Sequence, residues 1–169
     1  MGYTIVNKGI KMKSIIDFLL YMVFYIVFMI AVFIFATEAK SETYLNLNVS
    51  AYHFDRAAVK SYHLNEENYG AGLHYTSGDV GVMGGMYTNS ILKPSWYVLA
   101  TYTPLQVGSL KFGVIGGGVT GYAMATVIPA VGLFAKCDIG DYGINLIATP
   151  DVKQYAVYGF VGVQLSFKL

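Results

Sequence analysis

The chain ends in YAVYGFVGVQLSFKL, residues 155–169, where two kinds of residue alternate. From Val157 onward one alternate set is apolar apart from a glycine, and the other mixes Gly, Gln, Ser and Lys with aromatic residues. A period of two indicates a β-strand whose two faces meet different surroundings. We therefore predict a strand over residues 155–168, with its apolar face against lipid and its mixed face toward an interior.

Charged residues upstream avoid every run that could form a strand. From Thr43 onward they fall between such runs or at their ends, at Asp55, Arg56, Lys60, Glu66, Glu67, Asp79, Lys93, Lys111, Lys136, Asp138, Asp141, Asp151, Lys153 and Lys168. The runs are roughly ten residues long, which is the length that a tilted strand needs to cross a bilayer. A soluble barrel would place charge on its outer face. The pattern therefore favours a transmembrane β-barrel.

Clusters of Gly, Asp, Asn and Pro divide this region into predicted strands. Eight result, at residues 43–54, 68–76, 80–89, 95–104, 110–121, 127–136, 141–149 and 155–168. An even number of strands suits a closed antiparallel barrel. If the first strand starts in the periplasm, the long connections 55–67, 90–94, 122–126 and 150–154 fall on the outer side. The tight turns near Gly78, Leu105–Ser109 and Asp138–Asp141 then fall on the inner side.

Residues 1–39 form a separate predicted unit. Lys8, Lys11 and Lys13 precede an apolar run over 15–36, and small residues follow it. This order is typical of a secretory signal, with cleavage after Ala39. The alternative is a retained transmembrane helix, because the run is long enough to span a bilayer. In either case residues 40–169 make up the barrel, which we expect in a bacterial outer membrane.

Composition excludes several classes of function. A net charge of +1 provides no basic surface for nucleic acid. Cys137 is the single cysteine, so the chain has neither an internal disulfide nor a cysteine-based metal site. The three histidines show no metal-binding spacing. We therefore expect no metal and no cofactor.

The predicted interior contains little charge and much glycine. Small barrels hold packed side chains or one small ligand, and glycine within strands leaves space for a ligand. An uncharged, partly hollow interior suits a hydrocarbon chain. The alternative is that Tyr, Phe and Met side chains fill the space.

The candidate catalytic residues are His53, Asn89 and Ser90. His53 ends the first predicted strand and the Asn89-Ser90 pair ends the third, so both reach the same rim. An imidazole beside a hydroxyl is the minimum for base-assisted acyl transfer. If side chains alternate strictly along the strand, however, His53 lies on the same lipid-facing side as Leu45 and Leu47. It therefore needs a bulge or a strand end to turn inward.

From His53 to the C-terminus the chain resembles the lipid A palmitoyltransferases (PagP), which are eight-stranded outer-membrane enzymes. The segments that carry the resemblance are His53 itself, NEENYGAGL at 65–73, GMYTNS at 85–90, WYVLATY at 96–102 and GGGVTG at 116–121. Pro129 and Pro150 fall near prolines of that family, where weakened strand pairing lets lipid enter sideways. Proline has no N–H to donate to a sheet, so this interpretation has a physical basis.

The resemblance implies that a His, an Asp and a Ser at the rim support palmitoyl transfer from a phospholipid to lipid A. It places His53 at the family's histidine and Ser90 at its serine. Asn89 stands where the family has aspartate. An asparagine can orient an imidazole through a hydrogen bond, but it cannot stabilise an imidazolium by charge.

Three functions remain open from the sequence. The first is an acyltransferase or acylhydrolase of phospholipid or lipid A, in which His53 acts as base or orienter and Ser90 and Asn89 hold the reacting oxygen. The second is a non-catalytic outer-membrane barrel that is structural, modifies the surface or binds lipid. The third is a soluble lipocalin-like domain tethered by residues 15–36, which the lack of strand charge disfavours. The expected partners are membrane lipids and the outer-membrane assembly machinery, for a barrel that acts as a monomer.

Overall fold

The computed structural model describes residues 41–123, 125–152 and 157–169, and the predicted signal or anchor at residues 1–39 lies outside these ranges. The described residues form a closed barrel in which each strand is antiparallel to the next and the last strand pairs with the first. The strands are β1 Ser41–His53, β2 Gly70–Ser77, β3 Val80–Thr88, β4 Pro94–Val107, β5 Leu110–Val119, β6 Ile128–Ile139, β7 Tyr142–Thr149 and β8 Phe160–Lys168. A short helix, α1 Arg56–Tyr62, follows β1. The prediction of eight strands in a closed antiparallel barrel is confirmed.

The two ends of the barrel differ in their connections. At one end, called the turn end here, Gly78, Gly108 and Gly140 close tight hairpins with φ of 61°, 60° and 66°. Glycine adopts this left-handed conformation without the steric cost of a Cβ. The opposite end, called the loop end, carries the longer connections. This is the division that the positions of Gly and Asp predict, although β4 runs on to Val107, so the turn after it is shorter than predicted.

Apolar side chains cover much of the outside of the barrel. On β4, buried Ser95 and Tyr97 alternate with exposed Trp96 and Val98. On β8, Leu165 is exposed, whereas the neighbouring Gln164 and Ser166 are buried, as the period of two predicts. Among the described residues, no helix is long and apolar enough to cross a membrane.

A bulge in β1 reverses which side chains point inward. The pairing of β1 with β8 shifts register between Asn48 and Ser50. Before the shift Asn46 is fully buried, and after it the residues with buried side chains are Ala51 and His53. One extra residue exchanges the two faces of a strand. Strict alternation, which would place His53 on the outer face with Leu45 and Leu47, therefore fails here, and the bulge gives His53 its inward orientation.

Side-chain amides fill the turn half of the barrel. Gln164 is their centre: its Oε1 accepts from Asn46 at 3.4 Å and from Asn145 at 3.2 Å, and its Nε2 donates to Asn48 at 2.7 Å. The Ser166 hydroxyl adds a bond of 2.9 Å to Asn46. Hydrogen bonds among side-chain amides lower the cost of burying them, although Asn48 Nδ2 and Asn145 Oδ1 have no partner among the described residues.

The expectation of an uncharged interior is wrong at Lys136. This side chain is only 3% exposed, and its Nζ lies 3.0 Å from Asp138 Oδ1. The ammonium group also sits over the ring of Tyr44, 3.1 Å from its centroid. A carboxylate and an aromatic face together compensate for the lost hydration of the charge. This charge lies toward the turn end of the barrel.

We predict that Gln164→Leu destabilises the barrel by about 1–3 kcal/mol, because it leaves the amides of several buried asparagines without partners. Gln106→Leu, at an exposed position near the end of β4, should change the free energy of unfolding by much less. Urea unfolding of both variants in the same detergent measures the difference. Equal effects of the two substitutions would contradict a stabilising role for the amide network.

Candidate functional site

The structure brings His53 and Ser90 together at the loop end of the barrel. The imidazole is 1% exposed, and its Nε2 lies 3.0 Å from the hydroxyl oxygen of Ser90. The ring of Phe160 on β8 packs beside the imidazole, with 5.7 Å between the ring centroids. His53 is the last residue of β1, so the strand and the bulge within it fix where the imidazole points.

Asn89 is fully buried and makes the turn that presents Ser90. Its Oδ1 accepts from the backbone N–H groups of Ile91 at 3.0 Å and Lys93 at 2.9 Å. An asparagine that bonds to the following backbone in this way stabilises a tight turn. In the same turn Leu92 has a positive φ of 57°, a conformation that a leucine adopts only when its surroundings hold it there.

The other side of the Asn89 amide fixes the turn to the neighbouring loop. Its Nδ2 donates to the hydroxyl of Ser95 at 2.9 Å and to the carbonyl of Gly121 at 3.0 Å. All four hydrogen bonds of this side chain therefore stabilise the connections at the loop end of the barrel. None of them reaches His53 or Ser90, so Asn89 acts on the pair through the backbone rather than by touching the imidazole.

Glu66 occupies the place beside His53 that we expected Asn89 to take. Its Oε1 lies 3.4 Å from the imidazole Nδ1 and accepts the backbone N–H of His53 at 2.9 Å. The segment before β2 carries this glutamate back to the rim, where the N–H of Ala51 donates to the Glu66 carbonyl at 2.9 Å. The neighbouring Asn65 donates its N–H to the carbonyl of Ser90 at 2.8 Å. One loop thus positions both the carboxylate and the serine.

Arg56 shares the Glu66 carboxylate with His53. Both of its terminal nitrogens bond to the two carboxylate oxygens, at 2.5 and 3.0 Å. The guanidinium holds the pKa of Glu66 at about 2, well below its ordinary value. The carboxylate is therefore ionised at neutral pH. Arg56 begins helix α1, whose first turn is capped by the Asp55 side chain, which accepts from the N–H of Ala58 at 2.8 Å.

Ser90 borders two spaces of different character. Below it, inside the loop half of the barrel, lies a cavity of about 100 Å³. Most of its lining is apolar and includes Leu99, Ile115, Val119, Ala130 and Ile147. Beside Ser90 a smaller pocket of about 20 Å³ is lined by His53, Leu64 and Tyr158. Tyr122, from the loop after β5, borders both spaces.

The arrangement has the parts of an acyl-transfer site. With its proton on Nδ1, His53 donates toward Glu66 and accepts from the Ser90 hydroxyl through Nε2. A serine, an imidazole base and a carboxylate that orients the imidazole form the catalytic triad of many unrelated hydrolases. Among the described residues no cluster of three or more His, Cys, Asp or Glu could hold a metal ion.

Comparison with known proteins supports the fold. No protein-family profile matches the sequence, and neither does any curated protein. Among solved structures, the chain is similar to the de novo designed TMB2.3, with a TM-score of 0.57 and 11% identity over 79% of this chain and 98% of that one. The outer membrane protein Ail of Yersinia pestis, determined in a phospholipid bilayer nanodisc, gives a TM-score of 0.40 and 13% identity over 77% of this chain and 100% of that one.

The class of protein follows from the topology together with the designed barrel. The chain has the closed, eight-stranded antiparallel fold of outer-membrane barrels, with short turns at one end and longer loops at the other. At 11% identity the likeness to TMB2.3 concerns the fold alone. The resemblance to the lipid A palmitoyltransferases stays a prediction from the sequence.

We predict that Asn89→Asp destabilises the protein. A carboxylate can still accept the two hydrogen bonds from Ile91 and Lys93, but it has no hydrogen to donate to the Gly121 carbonyl. Two buried acceptor oxygens would then face each other, which costs about 1–3 kcal/mol or more. The loss should shrink as the pH falls, because the introduced carboxyl has a raised pKa in the folded state and can donate once it is protonated.

Urea unfolding between neutral and acidic pH measures this effect. Gln106→Glu, an amide-to-carboxylate change at an exposed site, is the control for added charge. An Asn89→Asp protein as stable as the control at neutral pH would show that the donor bonds of this amide contribute little.

Proposed function

We propose that the protein is an outer-membrane barrel that removes an acyl chain from a membrane lipid at its outer rim and passes it to a second lipid or to water. The observation that carries the proposal is the position of Ser90. Its hydroxyl lies 3.0 Å from the imidazole of His53 and also borders the apolar cavity. A lipid whose chain enters the cavity would bring its ester carbonyl to the serine.

The roles of the three side chains follow from their geometry. His53 Nε2 takes the proton of Ser90 while the serine oxygen attacks the ester carbonyl. The imidazolium then gives this proton to the departing lipid alcohol, leaving the chain on Ser90 as an ester. In the second step of the reaction His53 deprotonates the acceptor hydroxyl or water, which attacks this ester and frees the serine. Glu66 stabilises the imidazolium in both steps of the reaction.

The outward-facing side chains support a membrane location. They form an apolar surface around the barrel that includes Leu47, Leu73, Val98, Val114, Leu133 and Leu146. Patches this extensive are rare on soluble monomers and indicate contact with lipid or another protein. Exposed aromatic residues, Tyr52 and Trp96 among them, lie toward the loop end, as is typical of the aromatic girdle at a membrane interface.

A gap in the wall offers the lipid chain a lateral route into the cavity. The pairing of β6 with β7 begins at Leu133 opposite Ala148, so β6 residues 128–132 pair only with β5 among the described residues. Val131, within this segment, lines the cavity and is also 58% exposed. Pro129 lies within this segment and Pro150 directly follows β7; we expected weakened pairing near both, because neither can donate to a ladder.

We predict that a charge on the outer face destabilises the barrel according to its depth in the bilayer. Leu133→Arg, in the middle of β6, should cost about 2–4 kcal/mol in phospholipid, whereas Val107→Arg, at the turn end of β4, should cost about 0–1 kcal/mol. Both side chains are well exposed in the free protein, 66% and 70%. Reversible unfolding from liposomes gives the two values. Equal and small costs would contradict a bilayer around the barrel.

The enzyme prediction is tested by lipid analysis of a bacterium that expresses the chain. Ser90→Ala, His53→Ala and Glu66→Gln should each lower acyl transfer, the first two on the order of 10²–10⁴-fold and the third by less, because it retains a hydrogen-bond acceptor. Ser61→Ala, at an exposed position on α1, is the matched control. Mass spectrometry of lipid A and phospholipids gives the readout.

Each outcome of this experiment selects a function. Lipid A that gains one acyl chain, and loses that gain in Ser90→Ala, indicates a transferase. Loss of acyl mass indicates a hydrolase. Unchanged lipids alongside a folded barrel in the outer membrane would reject the enzyme and favour the second candidate, a non-catalytic barrel. The bidentate bond of Arg56 to Glu66 favours that candidate, since it draws the carboxylate away from His53.

A further inference from the structure

Four residues that line the cavity have a buried polar atom without a partner among the described residues: Asn68 and Thr149 toward the loop end, and Asn48 and Tyr97 on the floor. The hydroxyl of Tyr97 and the Nδ2 of Asn48 are both buried and both belong to residues that line the cavity. Within the described part of the chain neither atom has a hydrogen-bond partner. Tyr97 is only 4% exposed, so its hydroxyl is shielded from outside solvent.

The structure makes room for the Tyr97 hydroxyl at this position. Tyr97 extends from β4 across the interior, and its hydroxyl lies against Gly72 of β2 and Gly85 of β3. A Cβ added at either glycine would collide with that oxygen. Glycines on two neighbouring strands therefore leave the space that the Tyr97 hydroxyl occupies, so the packing of the barrel fixes the hydroxyl in its buried position.

The orientation of the Asn48 amide is fixed as well. Its Oδ1 accepts from Gln164 Nε2 at 2.7 Å. Exchanging the oxygen and nitrogen of Asn48 would place two amide N–H₂ groups against each other, so the hydrogen-bond network assigns the unpaired atom as the donor. The Tyr97 hydroxyl lies near the side-chain amides of Asn48 and Gln164 but outside hydrogen-bonding geometry with either. The two donors thus face the same small volume.

An unpaired buried donor is costly, and a plain hydrocarbon chain would leave both of these donors unpaired. A single oxygen atom can accept from both. We propose that the cavity floor is a subsite for an oxygen on the inner part of the bound chain, so that the preferred ligand is an acyl chain bearing a hydroxyl or carbonyl group. The choice of an acyl chain rests on the proposed function, but the subsite itself concerns binding alone.

The test compares straight-chain fatty acids of increasing length with the same acids carrying a terminal hydroxyl. Free acids contain no ester, so their binding to the full chain in micelles is measured without turnover. At the length that reaches the floor, the hydroxy acid should bind on the order of tenfold more tightly than its plain counterpart. Equal affinities at every length would overturn the subsite, which is also the result expected if water already satisfies both donors.

Two substitutions test whether the preference for the hydroxy acid arises at the cavity floor. Tyr97→Phe removes the hydroxyl and keeps the ring, so the preference should fall to a few-fold or less. Tyr102→Phe removes the same group from the outer face of β4, where Tyr102 is half exposed, and should leave the preference unchanged. A preference that persists in Tyr97→Phe would overturn the assignment.

A spectroscopic measurement on the unmodified protein covers the case in which Tyr97→Phe does not fold. The side-chain amide resonance of Asn48 should shift with the hydroxy acid and not with the plain acid, and identical spectra would reject the subsite. Ser90→Ala lies at the other end of the cavity and should keep the preference for the hydroxy acid over the plain acid. The two proposals therefore fail separately. Absence of lipid turnover with the hydroxy-acid preference intact would reject the proposed function, and lipid turnover without that preference would reject the subsite.

Discussion

One extra residue in β1 determines which chemistry the interior of this barrel can contain. A closed barrel forces alternate side chains inward and outward along every strand. Without the register shift between Asn48 and Ser50, a strand that buries Asn46 would turn His53 outward. With it, the same strand contributes an amide to the turn half and an imidazole to the loop half. Bulges are common beside active sites because they re-aim side chains in this way.

The two halves of the interior have different tasks. The turn half is closed by amides, by the Lys136–Asp138 pair and by His74, whose Nε2 lies 3.2 Å from the Thr101 hydroxyl. The loop half keeps an apolar cavity beneath Ser90. A void forfeits dispersion contacts, so packing and hydrogen bonds elsewhere in the barrel have to offset the cost of the cavity. Gln164 belongs to both, since it is the centre of the amide network and also borders the cavity.

Much of the architecture can be predicted from the sequence because the bilayer and the backbone impose simple rules. Charge kept mostly to connections and strand ends indicates strands that cross an apolar medium, and Gly78, Gly108 and Gly140 mark turns that need a positive φ. The bulge cannot be predicted in this way, because Val49 is an ordinary strand residue and only the pairing with β8 shows the extra position. Glu66 is missed for a related reason. It lies in a connection, and only the return of that connection to the rim brings its carboxylate to His53.

The position of the acid follows from what Asn89 has to do. A turn that holds Leu92 at a positive φ and bonds to the Gly121 carbonyl needs a side chain that both accepts and donates, and a carboxylate only accepts. An acid at the position next to Ser90 would therefore lose the bond that fixes this turn to the Gly121 carbonyl. The loop before β2 solves this conflict by supplying a carboxylate from a separate segment. This arrangement has a cost, because Arg56 competes with His53 for the same carboxylate oxygens.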